Sequence, residues 1–150
     1  MEDKISESDA AKLIEALKRL VDEGVIVFPS PGGYKEIIAE TLLGETTQFV
    51  ILIAPGARDL KKCTYQVRTK NTNIVLLRLD LVPEIKSHKN PDKTVIYGPH
   101  LHIYSEKYGD GYAVKFDAGD KDLINNCLVF FRKLNVVDPS PIQIEMTLFN

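Results

Sequence analysis

The sequence has no tryptophan and only two cysteines, Cys63 and Cys127, which lie 64 positions apart. Two distant cysteines are too few for the disulfide frameworks that stabilise small secreted domains. No apolar run, of which Phe49–Ala54 is among the longest, approaches the length of about 20 residues that a membrane-spanning helix needs, and no apolar leader precedes the first predicted helix. We therefore expect a reduced, cytoplasmic protein that does not associate with a membrane.

Motifs that identify a cofactor or a catalytic class are also missing. The chain contains no HExxH or CxxC pattern, and the Gly32-Gly33 pair lacks the surrounding residues of a phosphate-binding glycine loop. The sequence therefore predicts no bound cofactor.

The charges that are present are distributed unevenly. The net charge is -2, from 19 Lys and Arg against 21 Asp and Glu, yet residues 58–107 contain ten basic and five acidic side chains. A local excess of positive charge attracts phosphate groups even on an acidic protein. The alternative is a solvated surface whose lysines discourage association between sheet edges.

Two helices are predicted, one near each end of the chain. Ser6, with Asp9 three residues later, is typical of a helix start, and the apolar stripe that follows continues until Gly24 ends the helix. The second helix is predicted to begin with Asp120 as its N-cap and Asp122 favourably close to its N-terminus.

The remaining periodic segments predict strands. They are Val25–Phe28, Lys35–Leu43, Thr47–Ile53, Lys62–Lys70, Ile74–Val82, Pro99–Tyr104, Gly111–Phe116 and Ile142–Phe149. Strands in meander order with helices towards the two ends predict a single α+β domain over residues 1–150, built on a mostly antiparallel sheet with both helices packed on it. The insert 83–97 is long for a hairpin, and it predicts either a plain surface connection or a recognition loop.

Alternation within the middle strands predicts one apolar and one polar face of the sheet. In residues 99–104, Leu101 and Ile103 fall on one side and the two imidazoles fall on the other, because successive side chains of a strand point in opposite directions. The residues that the same reasoning places on the polar face are Arg68, Arg78, Asp80, His100, His102 and Tyr104.

A resemblance to a known family is carried by two segments, LKKCTYQVRTKNTNIVLLRLDL and HKNPDKTVIYGPHLHIYSEKYGDGYAV. They resemble a family of small bacterial and prophage proteins that is described as a domain of unknown function, and the similarity covers most of the chain. The resemblance implies a bacterial or prophage origin. It assigns no catalytic role to any residue.

The polar face suggests metal-independent cleavage of RNA as the first functional hypothesis. Imidazole suits both the removal of the ribose 2′-hydroxyl proton and the protonation of the leaving oxygen, because its pKa lies near neutrality, and arginine can hold the phosphate. The candidate catalytic residues are His100, His102, Arg78, Arg68 and Tyr104. The candidate nucleic-acid-binding residues are Lys61, Lys62, Arg68, Lys70 and, as a stacking surface, Tyr65.

Two further function classes fit the same residues. A binding module of prophage or mobile-element origin would occupy RNA, another anionic ligand or a protein partner without turnover. A metal site would use His100 and His102, with a third ligand from Asp80 or His88. Histidines that are only structural are the remaining alternative, and because no other metal-binding motif accompanies the pair, the sequence-based prediction includes no metal ligand.

Overall fold

A computed structural model describes residues 4–22, 24–59, 61–119 and 122–137, together with the backbone of 144–146. The helices are α1 (Glu7–Glu15) and α2 (Leu123–Lys133). The strands are β1 (Lys18–Leu20), β2 (Ile26–Phe28), β3 (Lys35–Thr41), β4 (Gln48–Pro55), β5 (Cys63–Thr69), β6 (Val75–Leu81), β7 (Ser87–Lys89), β8 (Val95–Tyr97), β9 (His100–Ile103), β10 (Ala113–Lys115) and β11 (Ile144–Met146). Neither α1 nor α2, the helices of the described residues, has the length and apolar character to cross a bilayer.

Seven strands form the main sheet, in the order β1-β3-β4-β5-β6-β9-β10, and each neighbouring pair is antiparallel. Two smaller pairs accompany it: β2 with β11, which run parallel, and β7 with β8, which run antiparallel. The prediction of an α+β fold on a mostly antiparallel sheet is confirmed.

The apolar face of the main sheet packs against the helices. Tyr65 and Leu79 are fully buried on this face, and the Tyr65 ring lies 5.9 Å from the ring of Phe130 on α2. The hydroxyl of Tyr65 donates a hydrogen bond to the carbonyl of Leu123. Truncation of a buried aromatic such as Phe130 costs about 3–5 kcal/mol, so this contact fixes α2 on one face and leaves the opposite face for polar residues.

The first helix is shorter than the sequence predicts. It ends at Glu15 rather than at Gly24, and Lys18–Leu20 forms an edge strand in which Leu20 pairs with Ala39. The apolar spacing fits a helical stripe, but the segment also alternates as buried, exposed, buried. Pairing with β3 therefore prevails over the local helical pattern.

Lys18 supplies a physical reason for that early end. Its side chain is fully buried, and its ammonium donates hydrogen bonds to the carbonyls of Ile14 (2.8 Å), Ala16 (2.9 Å) and Leu134 (2.8 Å). Burial lowers the pKa of Lys18 to about 8. The ammonium satisfies carbonyls at the C-terminal ends of both helices, which otherwise lack hydrogen-bond donors.

The second helix begins slightly later than predicted. Asp122 is its N-cap, and its carboxylate accepts a hydrogen bond from the backbone N–H of Ile124 at 2.9 Å. Asp120 lies outside the described residues, as do the ends of the predicted strand 142–149, of which Ile144–Met146 is observed as β11.

The insert 83–97 folds into the hairpin β7–β8. Asn90, at the end of β7, attaches the hairpin to the edge strand β10. Its amide nitrogen donates to the carbonyl of Ala113 at 2.9 Å, and its amide oxygen accepts from the N–H of Ala113 at 2.8 Å. These two hydrogen bonds resemble those between paired strands, and they hold the hairpin over the polar face of the sheet.

Candidate metal centre

The register of β6 and β9 builds the centre of the polar face. Asp80 lies directly opposite His100, and Arg78 lies directly opposite His102. Directly opposite residues of antiparallel strands project to the same side, with Cβ atoms about 4.5–5.5 Å apart. The four side chains are therefore neighbours, on the face that alternation predicts for them.

The hairpin adds the third histidine. The ring centroid of His88 lies 4.9 Å from those of His100 and His102, which are themselves 5.0 Å apart. One possible ligand nitrogen from each ring lies within 4.8 Å of the other two. Folding thus gathers all three histidines of the chain, although the sequence predicts only that His88 is one of two possible third ligands.

Backbone carbonyls fix the proton positions on two of the rings. The Nδ1 atom of His100 lies 2.9 Å from the carbonyl oxygen of Gly98, and Nδ1 of His102 lies 2.8 Å from that of Asp110. Because a carbonyl oxygen only accepts hydrogen bonds, each Nδ1 must carry a proton. In the neutral rings, Nε2 is therefore the atom with the free lone pair.

Both Nε2 atoms face the same carboxylate oxygen. Oδ2 of Asp80 lies 3.3 Å from Nε2 of His100 and 3.2 Å from Nε2 of His102. Lone pairs on three such close atoms repel each other unless a proton or a cation lies among them. The pKa of His100 is consistent with a proton in this position. Burial lowers this pKa, but hydrogen bonds to Asp80 and to the Gly98 carbonyl raise it above its ordinary value.

The carboxylate of Asp80 is held in its charged form. Burial favours the neutral acid, but the two imidazoles and the guanidinium of Arg78 outweigh burial and hold the pKa of Asp80 well below its ordinary value. The other oxygen, Oδ1, accepts a hydrogen bond from the hydroxyl of Thr64 at 3.0 Å. A charged, oriented oxygen therefore points into the cluster.

Asn90 orients the imidazole of His88. The amide oxygen of Asn90 lies 3.1 Å from Nε2 of His88, and its contact with the Ala113 N–H identifies that oxygen as an acceptor. Nε2 of His88 must therefore donate, which leaves Nδ1 with the lone pair of the neutral ring. Burial and the charges of His100 and His102 lower the pKa of His88, which favours that neutral form.

Arg78 is the principal cation beside the cluster. Its NH2 nitrogen lies 3.0 Å from Nε2 of His102 and 3.3 Å from Oδ2 of Asp80. Its NH1 nitrogen lies 3.6 Å from a carboxylate oxygen of Asp110, and 30% of the Arg78 side chain is exposed. The guanidinium thus extends from the buried donors to the protein surface.

Comparison with protein families identifies the family of this chain. The model of a family of unknown function, DUF6978, matches residues 5–136. The chain belongs to this family. No curated protein and no solved structure shows significant similarity to it.

The match confirms the resemblance that the sequence suggests, and a bacterial or prophage origin stays a prediction. The range that characterises DUF6978 includes β9, the hairpin β7–β8 and the three histidines. It assigns no activity, so the function must be argued from the geometry.

Two of the predicted catalytic residues lie away from this cluster. Arg68 is bound to Glu36 at 3.0 Å, near the end of β5 that pairs with Val75. Tyr104 is buried, and its hydroxyl donates to the carbonyl of Ile5 at 2.9 Å, which fixes the segment before α1. Both side chains serve local contacts rather than joining the imidazoles.

The predicted nucleic-acid-binding residues lie at both ends of β5 and, in the case of Tyr65, on its buried face. The ring of Tyr65 is fully buried on the opposite face of the sheet and is not available for stacking on a base. Lys61 and Lys62 precede β5, whereas Lys70 follows it. Lys62 and Lys70 are eight positions apart in extended chain, which separates them by roughly 26 Å.

These placements do not support RNA cleavage by the predicted residues. His100 is 5% exposed and His102 is 2% exposed, so neither ring can reach the 2′-hydroxyl of an RNA strand without movement of the hairpin. Arg78 is occupied by Asp80 and Asp110. Buried imidazoles of this kind can still hold a species that is small enough to fit among the rings.

Proposed function

We propose that this protein binds a divalent transition metal ion, for which zinc is the best match, through His88, His100 and His102. The observation that carries the proposal is the convergence of three imidazole nitrogens within 4.8 Å of one another. Imidazole is among the commonest ligands of zinc in proteins, at a distance of about 2.0–2.1 Å.

The hydrogen bonds around the cluster support this proposal. A histidine that binds a metal through one nitrogen usually donates a hydrogen bond from the other nitrogen to an oxygen, which fixes the tautomer and the direction of the ring. All three rings have such a partner: the Asn90 side chain for His88, and the carbonyls of Gly98 and Asp110 for His100 and His102. Each ring is thus held by a hydrogen bond of the kind that orients a metal-binding histidine.

A metal bound here would connect two parts of the fold. His100 and His102 belong to β9 in the main sheet, whereas His88 belongs to β7 in the hairpin. Ligands that come together only on folding couple the binding energy of the metal to the stability of the fold. The expected role of the ion is therefore to fasten the hairpin β7–β8 to the sheet.

The direct test is a zinc titration of protein that has been treated with a chelator and then freed of it. We expect isothermal titration calorimetry to give one zinc per chain. His88→Gln should weaken binding at least tenfold, because it removes one ligand from a partly exposed position. Lys89→Gln, which changes an exposed neighbour on the same strand, serves as the matched control and should bind as the parent does. Absence of binding, or equal affinity in the parent and His88→Gln, would refute the proposal.

The sequence predicts a cytoplasmic protein, and the proposed role is compatible with that location. Free cysteines are also compatible with it, and Cys63 and Cys127 are both free and buried. Binding of RNA, of another anionic ligand or of a protein partner stays a prediction that the metal site does not require.

A further inference from the structure

Resting on the proposed function, we infer that Asp80 is the fourth metal ligand and that Arg78 competes with the metal for the same donor atoms. The ion would then be enclosed by four protein ligands, and its binding would transfer the guanidinium of Arg78 from Asp80 to Asp110.

The spacing around Asp80 supports its role as a ligand. In a tetrahedral zinc site with bonds of about 2.0–2.1 Å, neighbouring ligand atoms lie about 3.3 Å apart. Oδ2 of Asp80 lies 3.3 Å from Nε2 of His100 and 3.2 Å from Nε2 of His102. Both of these atom pairs therefore already have the separation that a tetrahedral metal site requires.

The bond from Thr64 to Asp80 supports the same role. The Thr64 hydroxyl donates to Oδ1, so it orients the carboxylate and leaves Oδ2 directed at the imidazoles. Hydrogen bonds of this kind to a ligating carboxylate are typical of metal sites.

Arg78 uses the atoms that the ion would need. Its NH2 nitrogen donates to the lone pair of His102 Nε2 at 3.0 Å and contacts Oδ2 of Asp80 at 3.3 Å. The lone pair of Nε2 can serve a hydrogen-bond donor or a metal, but not both. A metal ion bound to these atoms and the guanidinium of Arg78 would also repel each other strongly, because both are positively charged and the site is partly buried. Metal binding therefore requires that the guanidinium leaves His102 and Asp80.

Asp110 provides the alternative position for that guanidinium. Its carboxylate lies 3.6 Å from NH1 of Arg78 and is 42% exposed, whereas the side chain of Asp80 is 14% exposed. A small outward rotation would exchange the buried carboxylate for the exposed one and keep the charge of Arg78 paired. Arg78 therefore lowers the affinity of the site and sets the concentration at which the metal binds.

Cobalt substitution tests the fourth ligand. Tetrahedral Co²⁺ has strong visible absorption that changes when azide replaces a bound water. We expect the parent to give a tetrahedral spectrum that azide does not alter, because Asp80 leaves no exchangeable position. Asp80→Ala should bind Co²⁺ at least tenfold more weakly, and its spectrum should respond to azide. A parent spectrum that shifts with azide would overturn the role of Asp80.

Two arginine variants test the competition. Arg78→Gln should bind Zn²⁺ at least tenfold more tightly than the parent, whereas Arg68→Gln, which changes an arginine bound to Glu36, should leave the affinity unchanged. In the parent, the NMR signal of the Arg78 Nε–H should shift on zinc addition. Equal or weaker binding by Arg78→Gln would overturn this inference, while failure of every protein to bind metal would instead refute the proposed function.

Discussion

Asn90 links the stability of the hairpin to the affinity of the proposed metal site. Its side chain is buried and bonded to the N–H and C=O of Ala113, to the hydroxyl of Thr94 at 3.1 Å and to the His88 ring. The substitution Asn90→Ala removes all of these contacts at once. It leaves the backbone N–H and C=O of Ala113, a residue that is 1% exposed, without their partners.

The expected loss of stability follows from the two backbone groups of Ala113 that lose their hydrogen-bond partners. Each buried polar group that loses its partner costs about 1–3 kcal/mol, and water that enters beside the edge strand β10 will recover part of this loss. We therefore expect Asn90→Ala to lower the free energy of unfolding by about 3 kcal/mol. Loss of the bond that orients His88 should also weaken zinc binding by about 10- to 100-fold.

Urea denaturation in the presence of a chelator measures the first effect, and zinc titration of the folded variant measures the second. Asn90→Asp is the informative intermediate, because a carboxylate can accept from Ala113 and His88 but cannot donate to the Ala113 carbonyl. Asn125→Ala, at an exposed position of α2, is the control and should change neither quantity. If Asn90→Ala loses stability but keeps a zinc affinity within twofold of the parent, Asn90 does not position a metal ligand and the reasoning is refuted.

Three further predictions concern the metal, a buried lysine and pH. Zinc at one hundred times its Kd should stabilise the fold by about 2.7 kcal/mol and raise the Tm by about 5–11 °C; calorimetry that detects no rise would contradict metal-dependent stability. Lys18→Met should destabilise the protein by about 3 kcal/mol in urea, because three carbonyls lose their donor; unchanged stability would show that these bonds contribute nothing net. The pKa of Asp80 is lower in the folded protein than its ordinary value, so its contribution is present above about pH 4 and is lost as the pH falls. Acid unfolding of the chelator-treated protein should therefore be steeper than that of Asp80→Asn, and equal steepness would contradict the shift.

The part of the site that lies on β6 and β9 could be predicted from the sequence, because strand alternation is a local property. The odd positions of Ile74–Val82 are apolar, and this alone assigns Arg78 and Asp80 to the face that also carries His100 and His102. The pairing of these strands brings each of those residues directly opposite its partner.

The position of His88 could not be predicted in the same way. It depends on how the hairpin β7–β8 lies on the sheet, and that orientation is set by the bonds of Asn90 to Ala113. Nothing in the local pattern of residues 83–97 identifies a partner 23 positions later in the chain. A contact of this kind appears only in the folded structure.

The error at the first helix has a related cause. Leu17, Leu20 and Val21 continue a helical spacing, but this segment pairs with β3, and the buried ammonium of Lys18 reaches the distant carbonyl of Leu134. A lysine is predicted to be exposed unless its partners are known. The local spacing of apolar residues does favour a helix here, but contacts with distant parts of the chain override it.

The charges around Asp80 explain why a divalent ion suits this cluster better than a monovalent one. Its Oδ2 atom faces two imidazole nitrogens and one guanidinium. A proton on Nε2 of His100, which its raised pKa favours, and the guanidinium of Arg78 together bring two positive charges to one buried carboxylate. A divalent ion brings the same charge, and it satisfies the lone pairs of His100 and His102 at once. A monovalent ion would displace Arg78 without replacing the charge that the proton and the guanidinium supply, so the cluster should select against it.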